Sequence, residues 1–236
     1  MKTRTWLIPA IAGLSLTVAL VAVSCTQEKK QKSVGLASAL QQTMANLKPS
    51  SLLHAKKPNY LIVVDKEHPI TDAYADTITL VPITNPKGVT HYLEAETANA
   101  FLGLQAQMAK QGIQIELDSG YRSVAEQQRI IDEFTEEFGA AYAAHYAAVP
   151  GTSEHHTGLA VDVYVVENGK IIDDNDEMNA RDDLFDPIHQ CLADYGFIQH
   201  YDYETWHFRY VGSPQTAVAI QESGLSFEAY AAIHQE

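Results

Sequence analysis

The stretch SEHHTGLAVDVYVV, residues 153–166, predicts a turn followed by a β-strand. From Leu159 onward, apolar residues alternate with small or polar ones, which is typical of a strand with two different faces. Asp162 lies on the less apolar face of this strand. His155 stands on the turn that leads into it, so His155 and Asp162 are near enough to converge on one ion.

The segments before this strand alternate between helix and strand patterns. Residues 60–64 are a short β-rich run, residues 93–112 predict an amphipathic helix, and residues 113–117 predict a half-buried strand. Ser123 and Glu126 form a capping box that opens a second helix. The apolar stripe of the first helix is predicted as Leu93, Thr97, Phe101, Leu104 and Met108, and that of the second as Val124, Gln127, Ile131, Phe134 and Phe138.

The segments after the strand continue the mixture. Asp186 is the predicted N-cap of a third helix, with Pro187 at its first position and Gly196 after its end. A last strand is predicted at residues 206–211, and a helical region follows Ser213 and Pro214. Helices mixed with short strands at these intervals predict a single α+β domain.

Composition limits the partners and the kinds of site. The chain has 236 residues, with 16 Lys and Arg against 30 Asp and Glu, and a formal net charge of −14. Such an acidic chain lacks the basic surface that phosphate neutralisation needs, so we expect no nucleic-acid partner. Its two cysteines, Cys25 and Cys191, exclude a disulfide framework and a thiolate zinc cluster. Any metal must be held by histidines and carboxylates.

Residues 1–25 read as a lipoprotein-type signal peptide. Lys2 and Arg4 precede an apolar stretch at residues 6–23, and residues 22–25, Ala-Val-Ser-Cys, resemble a bacterial lipobox with Ala where Leu is commoner. We predict that Cys25 is lipidated, becomes the mature N-terminus and anchors the protein to a membrane. The alternatives are a plain cleaved signal and an uncleaved membrane anchor. All three place the remainder in the cell envelope, either periplasmic or on the outer surface.

Residues 26–58 are predicted to form a flexible basic tether. They contain six lysines against the single acid Glu28, with several Gln and Ser and little aromatic content. The predicted domain, residues 59–236, has 8 basic and 29 acidic residues and therefore a formal charge of −21. The tether is interpreted either as a segment that lies on anionic headgroups or as a solvated linker.

His155, Asp162 and His207 form the candidate metal site. In the last strand, a period of two places His207 and Arg209 on one face and the intervening aromatic residues on the packing face. Two imidazoles and one carboxylate suit zinc and leave a fourth position for the water that a hydrolytic site needs. The alternative is that the three side chains are hydrogen-bonded polar residues of the core.

Glu204 and Arg122 are the candidate catalytic residues. Glu204 lies three residues before His207, so both reach one metal ion only if a turn or bulge occurs at Thr205. With that turn, Glu204 takes a proton from zinc-bound water and later gives it to the leaving amine. Arg122 precedes the second helix and is placed to bind a substrate carboxylate or a developing oxyanion.

Three segments resemble the signature segments of one peptidase family. They read Ser-Gly-Tyr-Arg-Ser at 119–123, Ser-x-His-x-x-Gly-x-Ala-x-Asp at 153–162, and Glu-x-Trp-His-x-Arg-Tyr-Val-Gly at 204–212. Together with residues 61–69, they are similar in order and spacing to VanY-type D-alanyl-D-alanine carboxypeptidases of the LAS group of zinc peptidases. The resemblance covers nearly everything from residue 60 to residue 212.

This resemblance implies a fold and a set of residue roles. The fold is a small α+β LAS/hedgehog-like peptidase domain, with helices packed around a short, mainly antiparallel sheet that carries one zinc ion. The implied roles are zinc ligation by His155, Asp162 and His207, general-base catalysis by Glu204, oxyanion and substrate stabilisation by Arg122, and positions near the peptide for Gln127 and Ser153. From the residues alone, Gln127 fits a hydrogen-bonded core position or a cavity edge equally well. The resemblance favours the cavity.

Two departures from the family pattern are visible. The family commonly has an Arg-Tyr-Pro run and a longer loop before the Glu-x-Trp-His segment, whereas residues 199–203 here are Gln-His-Tyr-Asp-Tyr. Because such loops edge the cleft, this departure affects which peptide is accepted. His156 replaces the usual Gln and competes with His155 as a ligand, but only His155 fits the Ser-x-His-x-x-Gly register.

The sequence therefore predicts a zinc-dependent D,D-carboxypeptidase that removes the terminal D-Ala from peptidoglycan stem peptides, and we expect a monomer. The alternatives are L,D-carboxypeptidase, endopeptidase or dipeptidase action on stem peptides, and a non-catalytic wall-binding lipoprotein. No serine is followed by Lys at the third position, which excludes a penicillin-sensitive serine carboxypeptidase.

Overall fold

Within residues 58–234, which this computed structural model describes, strands and helices alternate along the chain. The predictions for Cys25 and for the tether at residues 26–57 lie outside the described residues. The strands are β1 Leu80–Thr84, β2 Thr90–Glu94, β3 Gln114–Ser119, β4 Ala160–Glu167, β5 Lys170–Ile172, β6 Phe197–Gln199 and β7 His207–Tyr210. The helices are α1 Ala95–Lys110, α2 Val124–Phe138, α3 Ala140–Tyr146, α4 Asn175–Asn179, α5 Asp182–Leu192, α6 Pro214–Ser223 and α7 Phe227–His234. Short 3₁₀ turns occur at Asp72–Thr77, Glu154–Thr157 and Ala193–Tyr195.

An antiparallel sheet of five strands organises the domain. Its order is β3-β4-β7-β6, and β5 pairs with the far end of β4; β1 and β2 form a separate antiparallel pair. β4 is central, and its first six residues are buried on both faces. The mixture of helices with antiparallel strands confirms the predicted α+β class.

Helix α1 supplies much of the core. All five residues of its predicted stripe are fully buried, although Leu93 belongs to the preceding strand β2 rather than to the helix. The carboxylate of Glu94 caps the helix by accepting the backbone N–H groups of Glu96 and Thr97, both at 3.0 Å. The periodicity of the sequence therefore located this helix, and the carboxylate cap fixes its first residue.

Residues 60–64 do not form the predicted β-run. They make a turn and an irregular segment, in which the backbone carbonyls of Tyr60 and Ile62 accept hydrogen bonds from the Arg209 guanidinium at 3.2 and 2.9 Å. Carbonyl groups that bind a buried cation are not available for a strand ladder, which explains the difference.

Helix α2 begins as predicted, because the hydroxyl of Ser123 accepts the Glu126 N–H at 3.1 Å. Its predicted stripe is wrong, however: only Gln127 is buried, and Phe138 is 52 % exposed. The helix does not pack on the sheet with that face. Instead, Phe134 and Phe138 contact Tyr142 of α3, so the two helices form an aromatic hairpin at the surface.

The predicted N-cap at Asp186 is also wrong. Helix α5 starts at Asp182 and contains Pro187 in its interior. The additional first turn is stabilised by the burial of Leu184 and Phe185 in the core, which outweighs the hydrogen bond that Pro187 cannot donate. The last strand and the helix capped by Ser213 lie where the sequence predicted them. Among the described helices, none has the length and apolar character needed to cross a bilayer.

Gly120, directly after strand β3, packs closely against strand β2. A methyl group there would collide with the backbone carbonyl of Tyr92 and with the side chain of Leu93. We therefore expect Gly120→Ala to lower the free energy of unfolding by about 1–3 kcal/mol, which is roughly 2–4 °C of melting temperature per kcal/mol for a domain of this size. Gly88→Ala is the comparison, since it meets no atom and carries only the strain of a positive φ, about 1 kcal/mol. Equal losses in thermal melts of the two variants would contradict this packing argument.

Candidate active site

The register between β4 and β7 brings Asp162 and His207 together. These two residues are direct cross-strand partners, and Nδ1 of His207 lies 2.9 Å from Oδ1 of Asp162. On the other side of β4, an irregularity in β3 between Leu117 and Ser119 sets Ser119 opposite Asp162. The carboxylate of Asp162 is therefore held between two strands at the end of the sheet.

The turn before β4 delivers His155 to the same place. Ser153 caps the Glu154–Thr157 turn by accepting the His155 N–H at 3.3 Å, and Gly158 ends the turn with a left-handed φ of +67°. The Nδ1 atom of His155 lies 2.7 Å from the Gly120 carbonyl, so it carries the proton. Its Nε2 atom is thereby left as an acceptor 3.1 Å from Oδ2 of Asp162.

His155, Asp162 and His207 meet the chemical requirements of a metal site. Each residue is buried and offers one ligand atom, and these atoms lie within 4.8 Å of one another. Burial lowers the pKa of His155 to about 4, which keeps its imidazole neutral and able to coordinate. Burial also lowers the pKa of His207, but hydrogen bonds with Asp162 and Glu154 outweigh it and raise this pKa to about 10. The carboxylates of Asp162 and Glu154 that raise this pKa supply the negative charge that a cation site needs.

His156 does not compete with His155. Its Nδ1 atom donates to the Arg122 carbonyl at 2.7 Å, and its Nε2 atom accepts the Gly151 N–H at 3.0 Å. Both ring nitrogens are therefore used by the backbone. His156 ties the Arg122 loop to the turn that carries His155, and the same two segments are joined again by the Arg122 N–H, which donates to the His155 carbonyl at 3.2 Å.

Arg122 and Gln127 lie beside the candidate metal site. The guanidinium of Arg122 donates to Oδ2 of Asp162 at 2.6 Å, to the Ser119 hydroxyl at 2.8 Å and to the Gln127 amide oxygen at 3.4 Å. The Gln127 amide nitrogen donates to the Ala148 carbonyl at 3.0 Å, and the side chain has no exposed surface. The Gln127 side chain is therefore a buried hydrogen-bond partner of Arg122 and does not line an open cavity. Ser153 is also buried and acts as the turn cap described above.

Glu204 reaches the site through the turn that the sequence required. The His207 N–H donates to the Glu204 carbonyl at 3.0 Å, which closes a turn over Thr205 and Trp206 and reverses the direction of the Glu204 side chain. Oε2 of Glu204 then lies 4.0 Å from Nδ1 of His207, and the side chain keeps 15 % of its surface exposed. Burial, more than any neighbouring charge, raises the pKa of Glu204 to about 7. A carboxylate with this pKa can both accept and return a proton near neutral pH.

Comparison with known proteins agrees with this geometry. Residues 90–213 match the family model described as VanY, D-alanyl-D-alanine carboxypeptidase. The chain belongs to the VanY family. It is similar to VanXYC of Enterococcus gallinarum, a bifunctional D-Ala-D-Ala dipeptidase and D-Ala-D-Ala carboxypeptidase, with 34 % identity over 175 residues that cover 68 % of this chain and 87 % of VanXYC.

Solved structures of similar carboxypeptidases share the fold. One is a mutant of the vancomycin resistance D,D-pentapeptidase VanY from a VanB-type cassette in complex with Zn(II), with 27 % identity, a TM-score of 0.60 and coverage of 73 % of this chain and 99 % of that chain. Another is the LdcB LD-carboxypeptidase, with 28 % identity, a TM-score of 0.57 and coverage of 73 % and 85 %. The predicted family and peptidase class are confirmed, and zinc occurs in a relative of the same fold.

The sequence analysis missed a buried carboxylate, Glu154, which contacts His207 on the side of the ring opposite Asp162. Glu154 accepts Nη1 of Arg209 at 2.7 Å, Nδ1 of His200 at 3.0 Å and Nε2 of His207 at 3.2 Å. Burial raises the pKa of Glu154, but the charges of Arg209 and His200 outweigh it and hold this pKa well below its usual range. Because Nε2 of His207 donates to Glu154, its Nδ1 atom is the one left to face Asp162.

The signal for this contact was present in the sequence. Arg209 lies two residues after His207 on the same face of a buried strand, and a buried guanidinium requires a carboxylate partner. Glu154, next to a candidate ligand in the other motif, was an available one. His200 extends the contact to the surface, since its Nε2 atom lies 2.8 Å from Glu228 of α7.

Removing the charge of Glu154 should weaken metal binding. In Glu154→Gln, His207 loses the carboxylate that orients its ring, so we expect zinc affinity to fall about 10–100-fold, measured by competition with a chromophoric chelator. Arg209 also loses its buried partner, so the melting temperature of the chelator-treated protein should fall too. Glu228→Gln is the control, because Glu228 is 47 % exposed and contacts the His200 nitrogen that faces away from Glu154. Unchanged zinc affinity in Glu154→Gln would refute the positioning role.

Proposed function

We propose that this VanY-family protein is a zinc-dependent D,D-carboxypeptidase that removes the terminal D-Ala from peptidoglycan stem peptides. The observation that carries the proposal is the convergence of His155, Asp162 and His207, with the Glu204 carboxylate 4.0 Å from the ligand ring. VanXYC, named above, acts on D-Ala-D-Ala, which supports the substrate class.

Nε2 of His155, the carboxylate of Asp162 and Nδ1 of His207 would hold one zinc ion. The neutral imidazole of His155, the ionised Asp162 and the orientation of His207 by Glu154 all fit this role. When bound, zinc supplies Lewis acidity and lowers the pKa of a coordinated water.

Glu204 moves the protons of the reaction. Its carboxylate takes a proton from the attacking water as the water oxygen bonds to the scissile carbonyl carbon. The carbon–nitrogen bond then breaks, and Glu204 returns the proton to the departing amine of D-Ala. A pKa raised by burial favours the return step.

Arg122 stabilises the negative charge that develops on the substrate. The Arg122 side chain is 17 % exposed. Two edges of its guanidinium donate hydrogen bonds to Gln127 and Ser119. The third edge faces Asp162, beside the place where the scissile carbonyl or the terminal carboxylate must lie. Gln127 serves this reaction by positioning Arg122, and Ser153 serves it by capping the turn that carries His155.

L,D-carboxypeptidase action on a tetrapeptide is the second candidate. The similarity to LdcB, an LD-carboxypeptidase of the same fold, favours it over the endopeptidase alternative. The short loop at residues 199–203 edges the site and is where the choice between the two peptides is expected to be made.

Replacing Glu204 tests the proposal directly. We expect the zinc-loaded protein to release one D-Ala from a stem pentapeptide, measured by mass spectrometry, and Glu204→Gln to be slower by about 10²- to 10⁴-fold because it cannot accept a proton. Zinc content should be unchanged, because Glu204 is not one of the three ligands.

The outcomes separate the alternatives. Consumption of the tetrapeptide instead of the pentapeptide would replace D,D by L,D cleavage. Zinc binding without cleavage of either peptide would favour an endopeptidase, and the absence of both zinc binding and cleavage would favour a non-catalytic wall-binding protein.

We also propose that the domain works in the cell envelope, anchored through a lipid on Cys25. The support is the lipobox-like sequence at residues 22–25 and the basic tether that follows it. This location would give the domain access to the stem peptides of the assembled cell wall.

The anchor is tested by Cys25→Ala. In cells fed a labelled fatty acid, we expect the normal protein to incorporate label and to partition into the detergent phase, and Cys25→Ala to do neither. Cys191→Ala is the control, because Cys191 lies in helix α5 of the domain and packs against the core. Equal labelling of the normal protein and Cys25→Ala would reject the lipoprotein.

A further inference from the structure

A continuous row of aromatic rings leads away from the candidate metal site. We call it the aromatic strip, and its members in spatial order are Tyr201, Tyr203, His145, Tyr146, Tyr142 and Phe138. The ring of Tyr201 lies 5.2 Å from the ring of His207, and Tyr203 and His145 follow at successive distances of 5.7 Å. The remaining steps are 4.4, 4.6 and 4.7 Å between ring centres, so the strip has no gap.

The strip belongs to the cleft at one end and to the open surface at the other. Tyr201 forms the cleft end through its contact with the ring of His207, and Tyr146, in the middle of the strip, packs on Trp206 at 6.3 Å. At the other end, Phe138 is 52 % exposed, and Tyr203, the second ring from the site, is 46 % exposed. Tyr146 also packs against the core, but a contiguous row of exposed and partly exposed rings marks an interaction surface.

The reach of a stem peptide decides which part of the strip it can cover. Four residues in extended conformation span at most about 14 Å. For a peptide that lies along the strip, this reach ends near His145, because the successive ring contacts from His207 are 5.2, 5.7 and 5.7 Å. On this path, Tyr146 lies where the peptide ends, and Tyr142 and Phe138 lie beyond it. In peptidoglycan, the group attached at that end of the peptide is a sugar.

We propose that the outer half of the aromatic strip, Tyr146, Tyr142 and Phe138, binds sugar rings of the glycan to which the stem peptide is attached. This inference rests on the proposed function for its substrate. The C–H face of a pyranose carries a weak positive potential and stacks on the negative face of an aromatic ring.

Polar groups at the edge of the strip suit sugar hydroxyls. The Tyr146 hydroxyl donates to Oδ1 of Asp176 at 3.4 Å, and the Asn175 amide donates to the Tyr142 hydroxyl at 3.3 Å. These long hydrogen bonds leave lone pairs and an amide proton available at the start of helix α4. Rings flanked by carboxylate, amide and phenol groups combine stacking with hydrogen bonding, as an amphipathic sugar requires.

The charge around the strip argues against other occupants. The α2–α3 hairpin, residues 124–146, carries five acids and one arginine, so anionic lipid headgroups would be repelled. The acids include Glu133, Glu136 and Glu137, all exposed close to Phe138 in the chain. Charged residues are depleted from the cores of protein–protein interfaces, which disfavours a protein partner.

The test compares one peptide with and without its sugars. For the full zinc-loaded chain, we measure kcat/KM on a free stem pentapeptide and on the same pentapeptide attached to its disaccharide. The normal protein should prefer the disaccharide-linked substrate. Phe138→Ala and Tyr142→Ala should each reduce that preference about two- to tenfold, the value of one aromatic stacking contact. Ile233→Ala, an exposed apolar residue on helix α7, is the control and should retain the preference.

A binding measurement makes the result independent of catalysis. Peptide-free glycan chains should bind the normal protein and Ile233→Ala, and should bind Phe138→Ala and Tyr142→Ala more weakly, in NMR titrations of the full chain. Equal preference in all four proteins, or binding of anionic vesicles in place of glycan through Phe138, would overturn the inference. If neither peptide substrate is cleaved, the proposed function fails, while glycan binding still decides the role of the strip.

Discussion

The pairing of Asp162 with His207 across β4 and β7 is the constraint on which the site depends. It places a carboxylate and an imidazole 2.9 Å apart at the end of a buried sheet. A shift of one residue in this register would turn one of the two side chains to the opposite face of the sheet. The same register puts Arg209 beside Ala160, from where its guanidinium reaches Glu154 and fixes the ring of His207. Register and ligand orientation are thus set by one pair of strands.

Buried charges of alternating sign extend on both sides of that pair. Arg122 contacts Asp162, Asp162 contacts both histidines, and Glu154 connects His207 with Arg209. Each ionised group is expensive to bury alone and is compensated by its neighbour. Such a row adds little to the stability of the domain compared with apolar packing. Its main effect is to hold the ligand atoms in place for a cation. The proposed catalytic carboxylate, Glu204, stands apart from the row and keeps partial exposure and a raised pKa.

Elements with a strong local pattern could be predicted from the sequence, whereas those fixed by distant contacts could not. Strand β4, helix α1 and the Ser123 cap follow from periodicity and capping chemistry. The start of α5 depends on burial of Leu184 and Phe185, and residues 60–64 depend on Arg209, about 150 positions away in the chain. At the site, motif spacing identified the ligand candidates and Glu204. It did not reveal that Gln127 contacts Arg122, because a helical stripe does not show which side chain lies opposite.

The short loop that departs from the family pattern connects catalysis with recognition. Residues 199–203 and the turn at Thr205 place Tyr201, Tyr203 and Glu204 within four positions of one another. Tyr201 contacts the ring of His207, Tyr203 contacts His145 of the α2–α3 hairpin, and Glu204 turns back towards the ligands. A longer loop would separate the hairpin from the ligand strand and interrupt the ring contacts. Because the proposed base and the inner half of the aromatic strip share this segment, a change in the loop that moves the tyrosines also moves Glu204.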